Sequence, residues 1–167
     1  MKRMWLCTVM AVAAVALAGC ATSLGTSPKG LEIPIEQAAV RFSADVRDGG
    51  YRIVTTDELK KWLDDGKEMT ILSSLSMNED RLLGILPGAA SAAIPRSEKE
   101  LAPEDRERVL HAAGNNKERT LVVYGGFLAC RRSHIAAKIL VENGYKSVYR
   151  YPGGIAGWGE AGYSRGK

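Results

Sequence analysis

Apolar residues along this chain alternate between helical spacing and short continuous runs. Helical spacing begins at residue 35 and stops at the paired glycines Gly49 and Gly50. Beyond them, strands are predicted over residues 51–54, 70–72, 120–124 and 147–150, and helices over residues 55–66, 103–113 and 133–143. This strand–helix alternation predicts an α/β domain with a mostly parallel central sheet flanked by helices.

Two features of this pattern suggest where a site would lie. The run TLVVY at residues 120–124 is apolar almost throughout, which predicts a central strand buried on both faces. Parallel sheets bind ligands at the carboxyl ends of their strands, so the loop after Tyr124 is a candidate site.

The stretch of residues 73–102 contains Pro87-Gly88 and Pro95 and is predicted to be rich in loops.

Residues 1–19 have the pattern of a secretory signal. Lys2 and Arg3 precede a short apolar run, which ends in Leu-Ala-Gly directly before Cys20. The run is shorter than the roughly 20 residues that a membrane-spanning helix needs. Its ending resembles the lipobox of bacterial lipoproteins, which implies cleavage after Gly19 and acylation of Cys20. The alternative is an uncleaved anchor or a buried N-terminal helix.

The rest of the chain divides into a tether and a domain. Residues 20–34 are rich in Ser, Thr, Gly and Pro without periodicity, which predicts a flexible tether after the lipid-bearing cysteine. Residues 35–167 are predicted to form a single domain. Several acyl chains on Cys20 would attach the protein stably to a membrane, on the periplasmic side. Under lipoprotein sorting, Ala21 after the anchor implies the outer membrane.

Charge and composition exclude several classes of partner. The net charge is +4, and cleavage would remove two of the 23 basic residues and none of the 19 acidic ones, leaving +2. The chain has no basic stripe, so no nucleic-acid partner is predicted. One free cysteine and two distant histidines do not make a zinc site, so neither a metal nor a cofactor is predicted.

Cys130 is the one cysteine that processing would leave free. Cys7 would be lost with the signal, and Cys20 would carry the lipid. No intramolecular disulfide could then form. A free cysteine in an exported protein is either a small buried side chain or a reactive thiol.

The loop after Tyr124 offers Cys130 a cationic environment. Backbone N–H groups in such a loop can form an anion nest, and the following helix adds its own unpaired N–H groups. Positive charge near a thiol lowers its pKa and favours the nucleophilic thiolate. The predicted cradle for a thiolate, a persulfide or an oxyanion comprises Gly125, Gly126, Phe127, Leu128, Ala129, Arg131, Arg132, Ser133 and His134.

Several of these residues also have simpler interpretations. Arg132 could hold the loop through backbone carbonyls, and Arg131 could be solvated. Ser133 is expected to cap the helix, since no base for a nucleophilic serine is evident. His134 is expected at a polar surface or as part of a cap.

Three sequence elements between about residues 51 and 163 resemble rhodanese domains. They are GILPGA at residues 84–89, Arg132-Ser133 with the following Ala136-Ala137, and the closing run from Gly144 to Trp158 followed by Gly162-Tyr163. The loop is most similar to a rhodanese-like subgroup that reads Tyr-Cys-Gly-Phe-x-x-Cys-x-Arg-Ser-His. The resemblance implies a rhodanese-like fold and sulfur transfer through a cysteine persulfide.

The chain departs from this family at its usual reactive positions. Gly125 stands where the sulfur-carrying cysteine of rhodaneses directly follows the strand. Cys130 matches the second cysteine of the subgroup. Ser73 and Ile85 occupy the places of the family's acidic residue and loop histidine. Any covalent sulfur chemistry in this chain would therefore have to use Cys130.

Two principal functions remain open at this point. The first is a sulfurtransferase or persulfide carrier, in which Cys130 takes sulfur from a small donor and passes it to a thiol-bearing acceptor, such as a protein. The second is a catalytically inactive binding or scaffold module, because Gly125 replaces the nucleophile. A third possibility is redox sensing through oxidation of Cys130 or its pairing with another protein's cysteine.

Overall fold

A computed structural model describes residues 29–166 of the chain. The predicted signal peptide (residues 1–19), the predicted lipid site at Cys20 and the tether as far as residue 28 lie outside the described residues. The chain divides after Gln37 into two compact units, and all strands of the sheet belong to the second unit. Within residues 29–166, no helix combines the length and apolar character needed to cross a bilayer.

Helices and strands alternate along the described residues. They are α1 (Glu32–Gly49), β1 (Arg52–Ile53), α2 (Thr56–Asp64), β2 (Met69–Ser73), α3 (Met77–Leu83), β3 (Ala90–Ser91), α4 (Pro103–Ala113), β4 (Thr120–Tyr124), α5 (Arg131–Glu142), β5 (Val148–Tyr151) and α6 (Gly154–Glu160). A short 3-10 helix spans Glu98–Glu100. Helix α1 begins at Glu32, so the last residues of the predicted tether are helical; Pro34 is tolerated there because it lies in the first turn.

The strands form one five-stranded sheet in the order β1–β5–β4–β2–β3. Every strand pair in this sheet is parallel. Strand β4 is central, and its last residue, Tyr124, is level with Ser73 at the end of β2 and with Tyr151 at the end of β5. The loops that follow these three strands therefore meet at one edge of the sheet. The α/β fold with a parallel sheet is as predicted.

The side chains of β4 alternate between two hydrophobic cores. Leu121 and Val123 are fully buried with residues of α4 and α5. Val122 and Tyr124 are buried on the opposite face with residues of α2 and α6. Burying an aliphatic side chain of this size contributes about 1.5–3 kcal/mol, so both cores hold β4 and the start of its loop in place.

The stretch between β2 and α4 contains more regular structure than its composition suggested. Helix α3 begins after Ser76, whose hydroxyl accepts a hydrogen bond from the backbone N–H of Glu79. The Glu79 carboxylate accepts one from the backbone N–H of Ser76 in return, completing a capping box. The Ser-x-x-Glu spacing is the sequence signal for this helix start. It places Glu79 beside the loop that follows β4.

Candidate active site

The loop of residues 125–130 joins β4 to α5 at the carboxyl edge of the sheet. Cys130 is its last residue and directly precedes the helix. Its backbone N–H donates to the Phe127 carbonyl oxygen at 2.9 Å, which makes a tight turn. Among residues 29–166, Cys130 is the one cysteine, and its thiol is free and half-buried.

Helix α6 fixes the first part of this loop. The backbone N–H groups of Ile155 and Ala156 donate to the carbonyl oxygens of Gly125 and Gly126, both at 3.0 Å. Gly154 has a φ of +60°, and a Cβ at this position would overlap the backbone of Gly125 and Gly126. Position 154 therefore requires glycine both for its backbone conformation and for the close approach of the loop.

Arg150 on β5 fixes the second part of the loop from inside the protein. Its side chain is 1% exposed. The Nη2 atom donates to the carbonyl oxygens of Leu128 at 3.0 Å and Cys130 at 3.2 Å. Nε donates to the Ser133 hydroxyl, and Nη1 donates to the Tyr51 hydroxyl. Asp45 on α1 provides a buried counter-ion for Arg150, with an N···O distance of 3.6 Å.

The Cys130 sulfur lies in the space beside the missing side chain of Gly125. A Cβ placed on Gly125 would be 2.9 Å from Cys130 Sγ and 3.3 Å from Ser74 Oγ. The thiol from position 130 therefore approaches the place where the resemblance to rhodaneses would put the nucleophile, on a side chain at residue 125. The lack of a side chain at residue 125 makes this approach possible.

The electrostatic environment favours the Cys130 thiolate. Burial is the largest influence and raises the pKa of the thiol, but the backbone N–H of Gly126 and then the side chain and backbone of Arg132 lower it. The resulting pKa lies below its ordinary value. Because the thiolate is the nucleophilic form, this shift increases the reactive fraction near neutral pH.

Arg132 is held in position by Glu79. The guanidinium donates to both carboxylate oxygens, at 2.6 and 2.7 Å. These bonds and those from Ser76 hold the pKa of Glu79 well below its usual range. The Nε atom of Arg132 is buried and has no acceptor in hydrogen-bonding geometry, although the guanidinium lies close enough to the sulfur to lower the thiol pKa. Arg132 therefore supplies positive charge to the Cys130 sulfur from a buried position.

Cys130 opens into a cavity of about 590 Å³. Leu75, Leu83, Phe127 and Ile155 form part of its apolar lining. Of the described residues, four arginines also line it, namely Arg96, Arg131, Arg132 and Arg165, and Glu79 is the one acid. The volume is typical of small-molecule sites, which usually measure about 300–1,000 Å³.

The predicted cradle residues divide between this cavity and the rest of the protein. Gly126, Phe127, Ala129, Arg131 and Arg132 line the cavity together with Cys130. Gly125 lies beneath the sulfur, whereas Leu128 contributes its carbonyl oxygen to Arg150 and is otherwise exposed. Arg131 is 42% exposed and pairs with Glu98 and with the buried Asp45, so it is not simply a solvated side chain.

Ser133 and His134 are placed differently from the sequence expectation. Ser133 lies inside the first turn of α5, where its hydroxyl donates to the Cys130 carbonyl oxygen at 3.1 Å; Cys130, not Ser133, is the N-cap residue. His134 is fully buried rather than at the surface, with Nδ1 2.9 Å from the Tyr51 hydroxyl. Burial is the main cause that lowers the pKa of His134, which favours the neutral ring. Neither side chain lines the cavity.

The sequence interpretation missed four residues that define this site. Glu79 could have been found from its capping-box spacing. Arg150 lies in the recognised closing run, but nothing in its local pattern indicates that an arginine there is buried. Asp45 and Arg165 carry no sequence signal, because they reach the site only through the packing of α1 and of the C-terminal segment.

Comparisons with known proteins agree with this architecture. A solved structure of a polysulfide-sulfur transferase homodimer from Wolinella succinogenes has a TM-score of 0.57 at 19% identity, with 82% of this chain and 90% of that chain covered. The rhodanese-like domain of a protein from Anabaena sp. has a TM-score of 0.54 at 24% identity, covering 69% and 79% of the two chains. At such identities the likeness establishes the fold alone.

A thiosulfate sulfurtransferase from Pseudomonas aeruginosa has a TM-score of 0.58 at 20% identity, with 76% of this chain but only 22% of that chain covered. A search of curated protein sequences finds no match. The family model for the rhodanese-like domain matches residues 55–161, which include β2, β4, β5 and the Cys130 loop. This chain therefore belongs to the rhodanese-like domain family.

Proposed function

We propose that this protein is a membrane-anchored sulfurtransferase or persulfide carrier of the rhodanese type, with Cys130 as the residue that takes up sulfur. The observation that carries the proposal is the position of the sulfur, 2.9 Å from where a Cβ on Gly125 would lie. A lowered thiol pKa and a largely cationic cavity support it. Two proteins of similar fold are described as a polysulfide-sulfur transferase and a thiosulfate sulfurtransferase, which fits a sulfur donor of this class.

The first half-reaction transfers a sulfur atom to Cys130. The thiol loses its proton to solvent, and the thiolate attacks the outer sulfur of a donor such as thiosulfate. A sulfur–sulfur bond to Cys130 forms as the sulfur–sulfur bond of the donor breaks, and sulfite leaves with the bonding electron pair. The terminal sulfur of the persulfide carries the negative charge, which the backbone N–H of Gly126 and the Arg132 side chain stabilise.

The second half-reaction releases the sulfur to an acceptor. A thiolate attacks the terminal sulfur of the persulfide, and Cys130 leaves as a thiolate. The acceptor, a small thiol or a thiol-bearing protein, becomes the persulfide. Electrons balance over the two steps, so no external oxidant or reductant is needed.

Intact-mass measurement of the full-length chain in detergent tests this function. After incubation with thiosulfate, the wild-type chain is expected to gain the mass of one sulfur atom, whereas Cys130→Ala gains none. The absence of a gain in the wild type, with Cys130 also inert to iodoacetamide in the folded protein, would sink the proposal and leave a binding module. A mixed disulfide with another protein, recovered from cells, would instead support redox sensing.

Two neighbouring glycines provide a matched control for the position of the sulfur. In Gly125→Ala, the new methyl group would lie 2.9 Å from Sγ and force the thiol to move. In Gly126→Ala, the nearest neighbour of the new methyl group would be a Leu75 methyl carbon at 4.0 Å, which is an ordinary contact. We expect Gly125→Ala to slow sulfur loading by about threefold or more, because the thiol leaves its donors. Gly126→Ala keeps its backbone N–H and displaces no atom, so it is expected to slow loading less. Equal rates in the two variants would contradict the assigned position.

We extend the proposal to attachment through lipid on Cys20, with the domain on the periplasmic side of the outer membrane. The support is the sequence Leu-Ala-Gly before Cys20 and Ala21 after it. Labelled palmitate is expected to enter the wild-type protein but not Cys20→Ala, and the wild-type protein is expected to fractionate with outer membranes. Label in the variant, or wild-type protein in the soluble periplasmic fraction, would refute the anchor.

A further inference from the structure

A buried chain of hydrogen bonds links His134 to the loop that ends in Cys130. Nδ1 of His134 lies 2.9 Å from the Tyr51 hydroxyl oxygen. The same oxygen accepts a hydrogen bond from Nη1 of Arg150 at 3.2 Å. Nη2 of this guanidinium holds the carbonyl oxygens of Leu128 and Cys130. All three side chains of the chain are buried, so a change at His134 reaches the loop through two residues.

The donors and acceptors of this chain determine the protonation state of His134. An arginine side chain can only donate, so the Tyr51 oxygen accepts from Arg150 and its own hydrogen remains free to donate. That hydrogen points to Nδ1 of His134, which must therefore carry no proton. The single ring proton is then on Nε2, and the histidine is neutral. The hydrogen bonds on which the loop depends thus exist only while the ring is uncharged.

The surroundings of His134 offer no spare negative charge for a protonated ring. The charged and titratable groups that face it are Asp45 and Asp48 of α1, Tyr51 before β1, Glu98 of the 3-10 helix, Arg131 and Lys138 of α5, and Arg150 of β5. Each carboxylate already pairs with a basic side chain, at 2.7 Å for Asp48, 3.2 Å for Glu98 and 3.6 Å for Asp45. A proton on the ring would therefore add net charge to a balanced cluster.

The second ring nitrogen of His134 is also poorly provided for. Nε2 is buried and has no partner in hydrogen-bonding geometry. The nearest carboxylate oxygens, Asp48 Oδ2 and Glu98 Oε1, lie 3.4 and 3.6 Å away. A charged ring needs an acceptor at both nitrogens, so this site is built for the neutral form.

We propose that Tyr51 and His134 are positioning residues for Cys130, and that protonation of His134 below neutral pH loosens the loop that carries the thiol. The two residues act through Arg150, and neither lines the cavity. Because burial is the main cause that lowers the pKa of His134, the ring takes up its proton below the ordinary histidine value of about 6.5. This inference rests on the proposed function, since it states when Cys130 is positioned to take up sulfur.

A proton taken from solvent at Nδ1 reverses the hydrogen bond between His134 and Tyr51. The ring then donates to the tyrosine oxygen, and the hydroxyl hydrogen has to turn away. Within residues 29–166 this hydroxyl has no other acceptor in hydrogen-bonding geometry. Positive charge on the ring also repels the Arg150 guanidinium. Arg150 therefore holds the loop less firmly once His134 is charged.

Loosening of the loop makes the Cys130 thiolate less favourable. The backbone N–H of Gly126 and the side chain of Arg132 lower the thiol pKa only while the sulfur stays beside them. Acidification is thus expected to slow Cys130 by more than protonation of the thiol alone explains. A direct effect of the histidine charge would have the opposite sign, because a nearby positive charge stabilises a thiolate.

The experiment follows alkylation of the full-length protein in detergent by iodoacetamide between about pH 8 and about pH 5. His134→Gln keeps an acceptor for the Tyr51 hydroxyl but cannot titrate. The ratio of the wild-type rate to the His134→Gln rate is expected to be lower at about pH 5 than at about pH 8 by about threefold. A tenfold loss of thiolate leaves a change of this size after its compensation by nucleophilicity.

Tyr51→Phe breaks the link but leaves His134 able to titrate. We expect this variant to react more slowly at every pH and to lack the additional loss on the acid side. Tyr145→Phe removes another buried tyrosine hydroxyl, which donates to the Gly114 carbonyl oxygen, and His111→Gln removes an exposed histidine of α4. Both controls lie outside the chain of hydrogen bonds and are expected to keep the wild-type profile.

Three results would overturn the inference. A ratio that is constant with pH would mean that His134 does not act on Cys130. A ratio that rises on acidification would mean that its charge acts through space. Retention of the additional acid-side loss in Tyr51→Phe would mean that the effect does not pass through Tyr51.

Nitrogen NMR of the protein with labelled histidine tests the starting state directly. His134 is expected as the neutral ring with its proton on Nε2 near neutral pH, with the signals assigned from His111→Gln. A proton on Nδ1 would contradict the assigned direction of the Tyr51 hydrogen bond. Neither measurement uses a sulfur donor, so both remain informative if thiosulfate never loads Cys130. If thiosulfate loads Cys130 but the rate ratio stays constant, the transferase stands and this regulation fails.

Discussion

Replacing Arg132 by glutamine is expected to move the pH dependence of Cys130 alkylation to higher pH and to lower the free energy of unfolding by about 3 kcal/mol. The guanidinium is one of the groups that lower the pKa of the thiol. The same guanidinium is the bidentate partner of Glu79, whose carboxylate would lose both hydrogen bonds from Arg132. The substitution thus affects reactivity and stability through one side chain.

The effect on the alkylation rate is smaller than the effect on the thiolate population. A rise in thiol pKa that reduces the thiolate fraction tenfold also makes the remaining thiolate about threefold more nucleophilic. The rate with iodoacetamide near neutral pH should therefore fall by only about threefold. The midpoint of the pH–rate profile is the more sensitive measurement, and denaturant unfolding at fixed pH gives the stability.

Glu79→Gln separates the two effects of Arg132. This variant also breaks the pair and is expected to destabilise the protein, but it keeps the positive charge beside the sulfur. Its alkylation profile should stay in place or move to lower pH, because Arg132 loses a competing carboxylate. A shift to higher pH in both variants would mean that Arg132 acts on Cys130 only by keeping the loop folded.

The sequence was sufficient to predict the fold and to place the Cys130 loop at the carboxyl edge of the sheet. The apolar run TLVVY specifies a strand buried on both faces, and β4 pairs with β2 and β5 at the centre of the sheet. The position of the Cys130 loop follows, because the carboxyl end of a central parallel strand must open onto the ligand-binding edge. These conclusions depend on patterns within a few consecutive residues.

The partners of the site could not be predicted in this way, because they come from distant segments. Arg132 and Glu79 are 53 residues apart in sequence, and Glu79 lies in a stretch whose prolines and glycines suggested loops. Asp45 approaches Arg150 only when α1 packs on the sheet. A local pattern also cannot distinguish a buried arginine from an exposed one, since a buried arginine needs several acceptors that only the tertiary structure provides.

The relation between Gly125 and Cys130 could also be recognised only from the three-dimensional structure. In sequence, a glycine at the family's nucleophile position suggests that the activity is lost. In the structure, the absence of a Cβ at residue 125 leaves the space that the Cys130 sulfur approaches. The glycine that lacks the family's nucleophile thus leaves room for the one proposed at Cys130, and for this reason residue 125 is a sensitive position for testing the proposal.

Replacing Arg150 by methionine is expected to produce the largest loss of stability, about 3–5 kcal/mol. Methionine keeps much of the volume and removes the charge and every hydrogen bond. The carbonyl oxygens of Leu128 and Cys130 would lose the same donor, and among the residues that the structure describes Asp45 would keep the partly exposed Arg131 as its one arginine counter-ion. The midpoint of denaturant unfolding should fall with an unchanged m-value.

Asp45→Asn in the Arg150→Met background tests whether an uncompensated buried charge causes the loss. The double variant should be more stable than Arg150→Met alone by about 1 kcal/mol or more, since the orphaned carboxylate is gone. Arg52→Met on the neighbouring strand removes an exposed arginine and should cost less than about 1 kcal/mol. If the double variant is no more stable than the single one, the lost loop hydrogen bonds account for the effect, and Arg150 stabilises the Cys130 loop through its carbonyl contacts alone.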